Sequence, residues 1–120
     1  MALSVQNEEV GGVTVVRASG RLTLSDSNGA LKNAINALVE AGRIRFVLNL
    51  HDVPYVDSSG LGEIASAHVT VSRTGGQLLL AAVNERVMEA LTITKLTRVL
   101  NAVPDEPSAI SKLQGSGTQR

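Results

Sequence analysis

"IRFVLNLHDVPYVDSSGLGEI", residues 44–64, decides how the chain is read. Ile44 to Leu50 is a dense apolar run, as in strands covered on both faces. From Leu61 the period changes: Leu61, Ile64, Ala65, His68 and Val69 fall at helical spacing. Between the two stand Asp57, Ser58 and Ser59. Each can accept a hydrogen bond from an otherwise unpaired N–H at a helix start. One cap is enough, so three in a row exceed the need. Gly60 and Gly62 follow, where glycine costs up to about 1 kcal/mol each against alanine. They read as keeping the surface round the serines low, so that another molecule can approach. Ligands of α/β sheets tend to bind beyond the carboxyl ends of strands, which is where this stretch falls. Three roles compete: a helix cap, a nucleophile, or a serine held out for another protein to modify.

Working outward, "ALSVQNEEV" and "VTVVRAS" flank Gly11-Gly12, the mark of a hairpin. The stretch "GRLTLSDSNG" is rich in turn and cap residues. Leu31, Ala34, Ile35, Leu38 and Val39 then repeat at helical spacing, and Gly42 stands where a C′ glycine closes a helix. Gly75-Gly76 stops the helix that follows the serines, and "QLLLAAV" reads as a second buried strand. Asn84 caps a third helix with Val87, Met88 and Leu91 on one face. "RVLNAV", residues 98–103, reads as a short last strand. Pro104 and Pro107 start a final amphipathic helix carrying Ile110 and Leu113. "GSGTQR" has nothing to bury and is expected to be a flexible tail over 115–120, leaving one domain over 1–114. The order is β-β-α-β-α-β-α-β-α, which implies an α/β fold with parallel pairing.

Composition narrows the function. A chain of 120 residues fits one domain, and with 43% hydrophobic but 2% aromatic residues its core is aliphatic. Eleven basic and eleven acidic residues cancel, so no global field draws nucleic acid or anionic lipid. The absence of cysteine excludes disulfides, thiolate catalysis and Cys-zinc sites. The N-terminus lacks a signal-peptide pattern, and no apolar run approaches membrane-spanning length. A cytoplasmic protein, or a domain of a larger assembly, is expected.

The chemical candidates are few. A serine nucleophile needs a base, and only His51 and His68 exist. His68 falls toward the apolar face of its helix, and "SSGLG" lacks the G-x-S-x-G spacing of a nucleophile elbow. Serine hydrolase is therefore a remote reading. The glycines make no dinucleotide or P-loop pattern, and no lysine supports a bound nucleotide phosphate. Histidines and acids show no metal-ligand spacing, so neither metal nor cofactor is expected. Met88, Leu91, Ile93 and Leu96 could face a partner, although such stripes are more often core.

"FVLNLHDVPYVDSSGLGEI" resembles the signature of the STAS family, and specifically of bacterial anti-sigma-factor antagonists. The matching residues are Val47 to Leu50, Asp52, Val56 and Asp57 to Gly62. "GGQLLLAAVNERVMEALTITKL" and "VTVVRASGRL" extend the likeness over about residues 3 to 113. The resemblance implies a four- to five-stranded mixed sheet with helices mainly on one side. It implies that the unmodified protein captures an ATP-dependent anti-sigma serine kinase, which then releases its sigma factor. The kinase would phosphorylate Ser58, separating the complex, and a serine phosphatase would restore it. Asp57, Ser59, Gly60, Leu61 and Gly62 would shape the partner-binding surface. One residue departs from the family: Thr23 stands where G-x-L-D has an acid. STAS domains also serve as non-catalytic subunits of signalling complexes and of membrane lipid or anion transport systems, which is the alternative reading.

Overall fold

The strands alternate between two apolar faces, and each face meets helices. The computed structural model describes residues 2–118. Strands β1 (Ser4–Val10) and β2 (Val13–Ser19) form the antiparallel hairpin, with Val10 opposite Val13. Gly11 and Gly12 turn it with φ of 56° and 84°, which costs other residues strain. Strands β3 (Arg45–Asp52), β4 (Gln77–Ala81) and β5 (Asn101–Val103) add in parallel, giving the mixed five-stranded order β1-β2-β3-β4-β5.

One sheet face carries Val16, Ala18, Phe46, Leu48, Leu50, Leu78 and Leu80. It is covered by α2 (Ala30–Glu40) through Leu31 and Ile35, α3 (Ser58–Arg73) through Ile64, Ala67 and Val71, and α4 (Glu85–Ile93) through Val87 and Leu91. The other face carries Val13, Val15, Val47, Leu79 and Ala81 under Ala109 and Leu113 of α5 (Glu106–Thr118). Helices thus lie mainly on one side, with α5 alone on the other. Arg17 fastens α5 with a forked pair of hydrogen bonds to Glu106, at 2.7 and 2.9 Å.

Four details differ from the sequence reading. A one-turn helix, α1 (Leu24–Ser27), precedes α2, built from the cap-rich stretch itself. Residues 98–100 are not strand: Lys95 adopts φ of 65° and opens a 3-10 turn, Leu96–Arg98, so pairing begins at Asn101. On α3 the buried stripe runs through Gly60, Glu63, Ile64, Ala67 and Val71, which leaves Val69 exposed. The segment read as a tail continues α5 through Thr118, and residues 119–120 lie outside the described residues. Among the described residues no helix is long and apolar enough to cross a membrane.

Candidate functional site

Beyond the ends of β2 and β3 the two segments stay zipped together. Gly20 N–H donates to Asp52 O at 3.0 Å, Leu22 N–H to Tyr55 O at 3.0 Å, and Asp57 N–H to Leu22 O at 3.3 Å. Leu22 and Val56 form a parallel bridge, with both side chains buried. The cap-rich stretch is therefore a wall of the serine turn.

Asp57 is the N-cap of α3. Its Oδ1 accepts from Gly60 N–H at 2.8 Å, and its Oδ2 accepts from Leu24 N–H at 3.0 Å, so one carboxylate caps two helix starts. The Gly60 N–H foremost holds this carboxyl below its ordinary range, because it stabilises the charged form. Capping is thus Asp57's task. Ser58, the first helical residue, is exposed; Ser59 is half-buried.

The glycines divide their work differently from expectation. A Cβ on Gly60 would stand 1.9 Å from Leu22 O, so Gly60 is needed for close packing inside the protein and is itself buried. Only Gly62 faces open space. Leu61 is half-buried and packs against the core. Thr23 is buried and caps α1: its Oγ1 accepts from Asp26 N–H at 3.3 Å and donates to Asp26 Oδ2 at 2.8 Å. The threonine at this departure from the family pattern is turned into its own helix.

Among the described residues no hydrogen bond joins either histidine to Ser58 or Ser59. The exposed His51 ring sits against Asp52, with Nδ1 3.0 Å from Oδ1. His68 Nδ1 is buried and has no hydrogen-bond partner among the described residues. The apolar stripe splits: Leu91 is core, Met88 and Leu96 are half-buried against it, and Ile93 is 72% exposed. Among the described residues no His, Asp and Glu group to hold a metal ion.

Three features escaped the sequence reading. Glu63 is buried on α3, where its Oε2 accepts from Ser27 Oγ at 2.6 Å and its Oε1 from Lys32 N–H at 3.1 Å. Its place in the stripe with Gly60 and Ala67 is the signal that could have found it. Asn84 caps α4 as expected, accepting from Val87 N–H at 2.8 Å, but it also donates to Val53 O at 2.9 Å, an unforeseen tie between α4 and the loop before the serines. Arg86 lies over the Tyr55 ring, 5.0 Å from its centroid.

A five-stranded mixed sheet that ends in a capped serine turn defines the class. The STAS domain profile matches residues 4–109, and the chain belongs to the STAS domain family. The anti-sigma F factor antagonist of Paenibacillus polymyxa is 28% identical over 114 residues, spanning 95% of this chain and 97% of that protein. The crystal structure of an anti-sigma factor antagonist from Mycobacterium paratuberculosis superposes with a TM-score of 0.84 at 23% identity, covering 94% of this chain and 95% of that one. The unphosphorylated anti-sigma factor antagonist SpoIIAA gives 0.71 at 19% identity over 93% and 99% of the two chains. Phosphorylated SpoIIAA, a Bacillus cell fate determinant, gives 0.70 at 19% over 91% and 98%.

Proposed function

We propose that this protein is an anti-sigma-factor antagonist switched by phosphorylation of Ser58. The observation that carries the reading is a division of labour at the start of α3. Asp57 caps the helix through its carboxylate, and Ser58 stands exposed at the first helical position. The relatives named above are antagonists of anti-sigma factors, one of them with both an unphosphorylated and a phosphorylated form.

In this mechanism the unmodified turn docks on an anti-sigma serine kinase, which lets go of its sigma factor. The kinase then moves the γ-phosphoryl group of ATP to Ser58 Oγ. The new O–P bond replaces the bond to ADP, and the hydroxyl proton passes to a base on the kinase. The phosphate adds about −1.5 to −2 charges at neutral pH. The helix start favours it by about 0.3–1 kcal/mol, whereas the neighbouring Asp57 carboxylate opposes it. The fold tolerates the change; a desolvated interface does not. A loss of about 4 kcal/mol there lowers affinity roughly a thousandfold. A serine phosphatase resets the switch.

Incubation with candidate anti-sigma kinases and ATP, followed by intact mass, tests this. One phosphoryl group is expected on the wild type and on Ser59→Ala, and none on Ser58→Ala. Modification of Ser58→Ala, or no modification by any kinase together with copurification with membrane transport subunits, contradicts it.

A further inference from the structure

Helix α3 grips α1 at both ends. Asp57 at its start takes Leu24 N–H, and Glu63 takes the Ser27 hydroxyl three residues further along α1. Between the two contacts Gly60 sits directly against Leu22 O. Glu63 also reaches Lys32 N–H in the first turn of α2. That helix has Gly29 at its N-cap and no side-chain cap of its own, so Glu63 serves as the missing cap from another helix. A carboxylate is rarely buried without partners, and this one is met by a hydroxyl and by a backbone N–H at a helix N-terminus. The apolar residue held in place by this arrangement is Leu24. The residue is 66% exposed, while its backbone N–H is bonded to the cap of the Ser58 turn.

We propose that Glu63 is a positioning residue for the Ser58 site: by pinning Ser27 and the start of α2 to α3, it holds α1 and the exposed Leu24 beside the serine turn as one preformed surface. This rests on the reading of Ser58 as the residue a kinase recognises. A preformed surface costs a partner less ordering on binding than a loose one. The role differs from that of an ordinary stabilising cap, because its effect is felt at Leu24 and in recognition, not only in global unfolding.

The test compares Glu63→Ala, Glu63→Gln and Ser27→Ala in the full chain. Amide hydrogen exchange at Leu24 and Lys32 is followed, with Val47 and Leu79 as core references. In Glu63→Ala, exchange at Leu24 should quicken by about tenfold or more while the core references keep their protection. Glu63→Gln can still accept from Lys32 N–H and should stay near wild type. Ser27→Ala, which removes one contact only, should fall between them and supplies the measurement if Glu63→Ala does not fold. With a kinase that modifies the wild type, Glu63→Ala should raise KM for this protein by about tenfold and leave kcat within about twofold. Unchanged Leu24 exchange in both Glu63→Ala and Ser27→Ala overturns the proposal. So does an unchanged KM in a folded Glu63→Ala whose wild type is phosphorylated. If Leu24 responds as expected but no kinase modifies the wild type, the positioning of α1 stands and the kinase reading falls.

Discussion

At the residue scale, the two glycines after the serines have opposite requirements. Gly60 has no room for a Cβ because Leu22 O occupies its place, whereas Gly62 faces open space. Gly60→Ala should cost about 3 kcal/mol or more, since the zipped loops cannot part without losing their hydrogen bonds. Gly62→Ala should be neutral or add up to about 1 kcal/mol, the helix-propensity difference. Denaturant midpoints of the two variants check this directly. Asp57 carries the second prediction. Asp57→Ala removes the cap of α3 and the acceptor of Leu24 N–H, and should cost about 1–2 kcal/mol at neutral pH. The folded protein holds this carboxyl below its ordinary range, chiefly through the Gly60 N–H, so the unfolded chain takes up the proton first. Its contribution is therefore complete above the ordinary carboxylate value of about 4 and fades as pH falls through the lower folded value. The stability gap between wild type and Asp57→Ala should narrow in acid; a gap that widens there contradicts the assignment. The acid and serines of this turn were legible in the sequence because cap chemistry is local. The need for Gly60 was not, since it arises from Leu22, thirty-eight positions away along the chain.

At the scale of elements, periodicity located what packing decides. Leu31 and Ile35, Val87 and Leu91, and Leu113 with the half-buried Ile110 turn inward as helical spacing requires, while the fully buried Ala109 was not foreseen. Helix α1 stayed hidden because one turn has no period, only cap chemistry: Thr23 at its start and Asn28, with φ of 47°, at its end. The start of β5 was misplaced because Lys95 takes the left-handed conformation, which no pattern of apolar residues announces. Glu63 was missed because a charged residue on a buried stripe reads as a solvated one until its partners on α1 and α2 are known. Helix α5 gives this scale its prediction. Leu113 is buried against the far face of the sheet, while the Arg17–Glu106 pair is partly exposed. Leu113→Ala should therefore cost about 2–4 kcal/mol. Glu106→Gln should cost less than about 1 kcal/mol, because surface ion pairs contribute little. Thermal or denaturant unfolding of both variants orders the two effects, and a larger loss from Glu106→Gln would mean that the ion pair holds α5.

At the scale of the whole molecule, the sheet separates two jobs. One face, with α2, α3 and α4, builds the wall against which the serine turn is set; the other is closed by α5. Near the turn, Leu24 is 66% exposed and Tyr55 39% exposed beneath Arg86, so the surface round Ser58 combines apolar contact with a hydroxyl. With no net charge the molecule exerts little long-range attraction, so under the proposed function recognition rests on that local surface. Under the same proposal, a single phosphate on Ser58 has disproportionate weight. The fold could be read from the chain because the strand–helix alternation and the D-S-S-G-L-G turn point the same way. Cap chemistry alone leaves Asp57, Ser58 and Ser59 interchangeable; the family resemblance singled out Ser58, and the structure adds that Ser58 is exposed and Ser59 half-buried. The most direct measurement is the Kd of an anti-sigma kinase that phosphorylates this protein, taken by calorimetry against the unmodified and the Ser58-phosphorylated forms. Binding should weaken roughly a thousandfold on phosphorylation, with the fold unchanged by circular dichroism. Equal affinity for the two forms would contradict it.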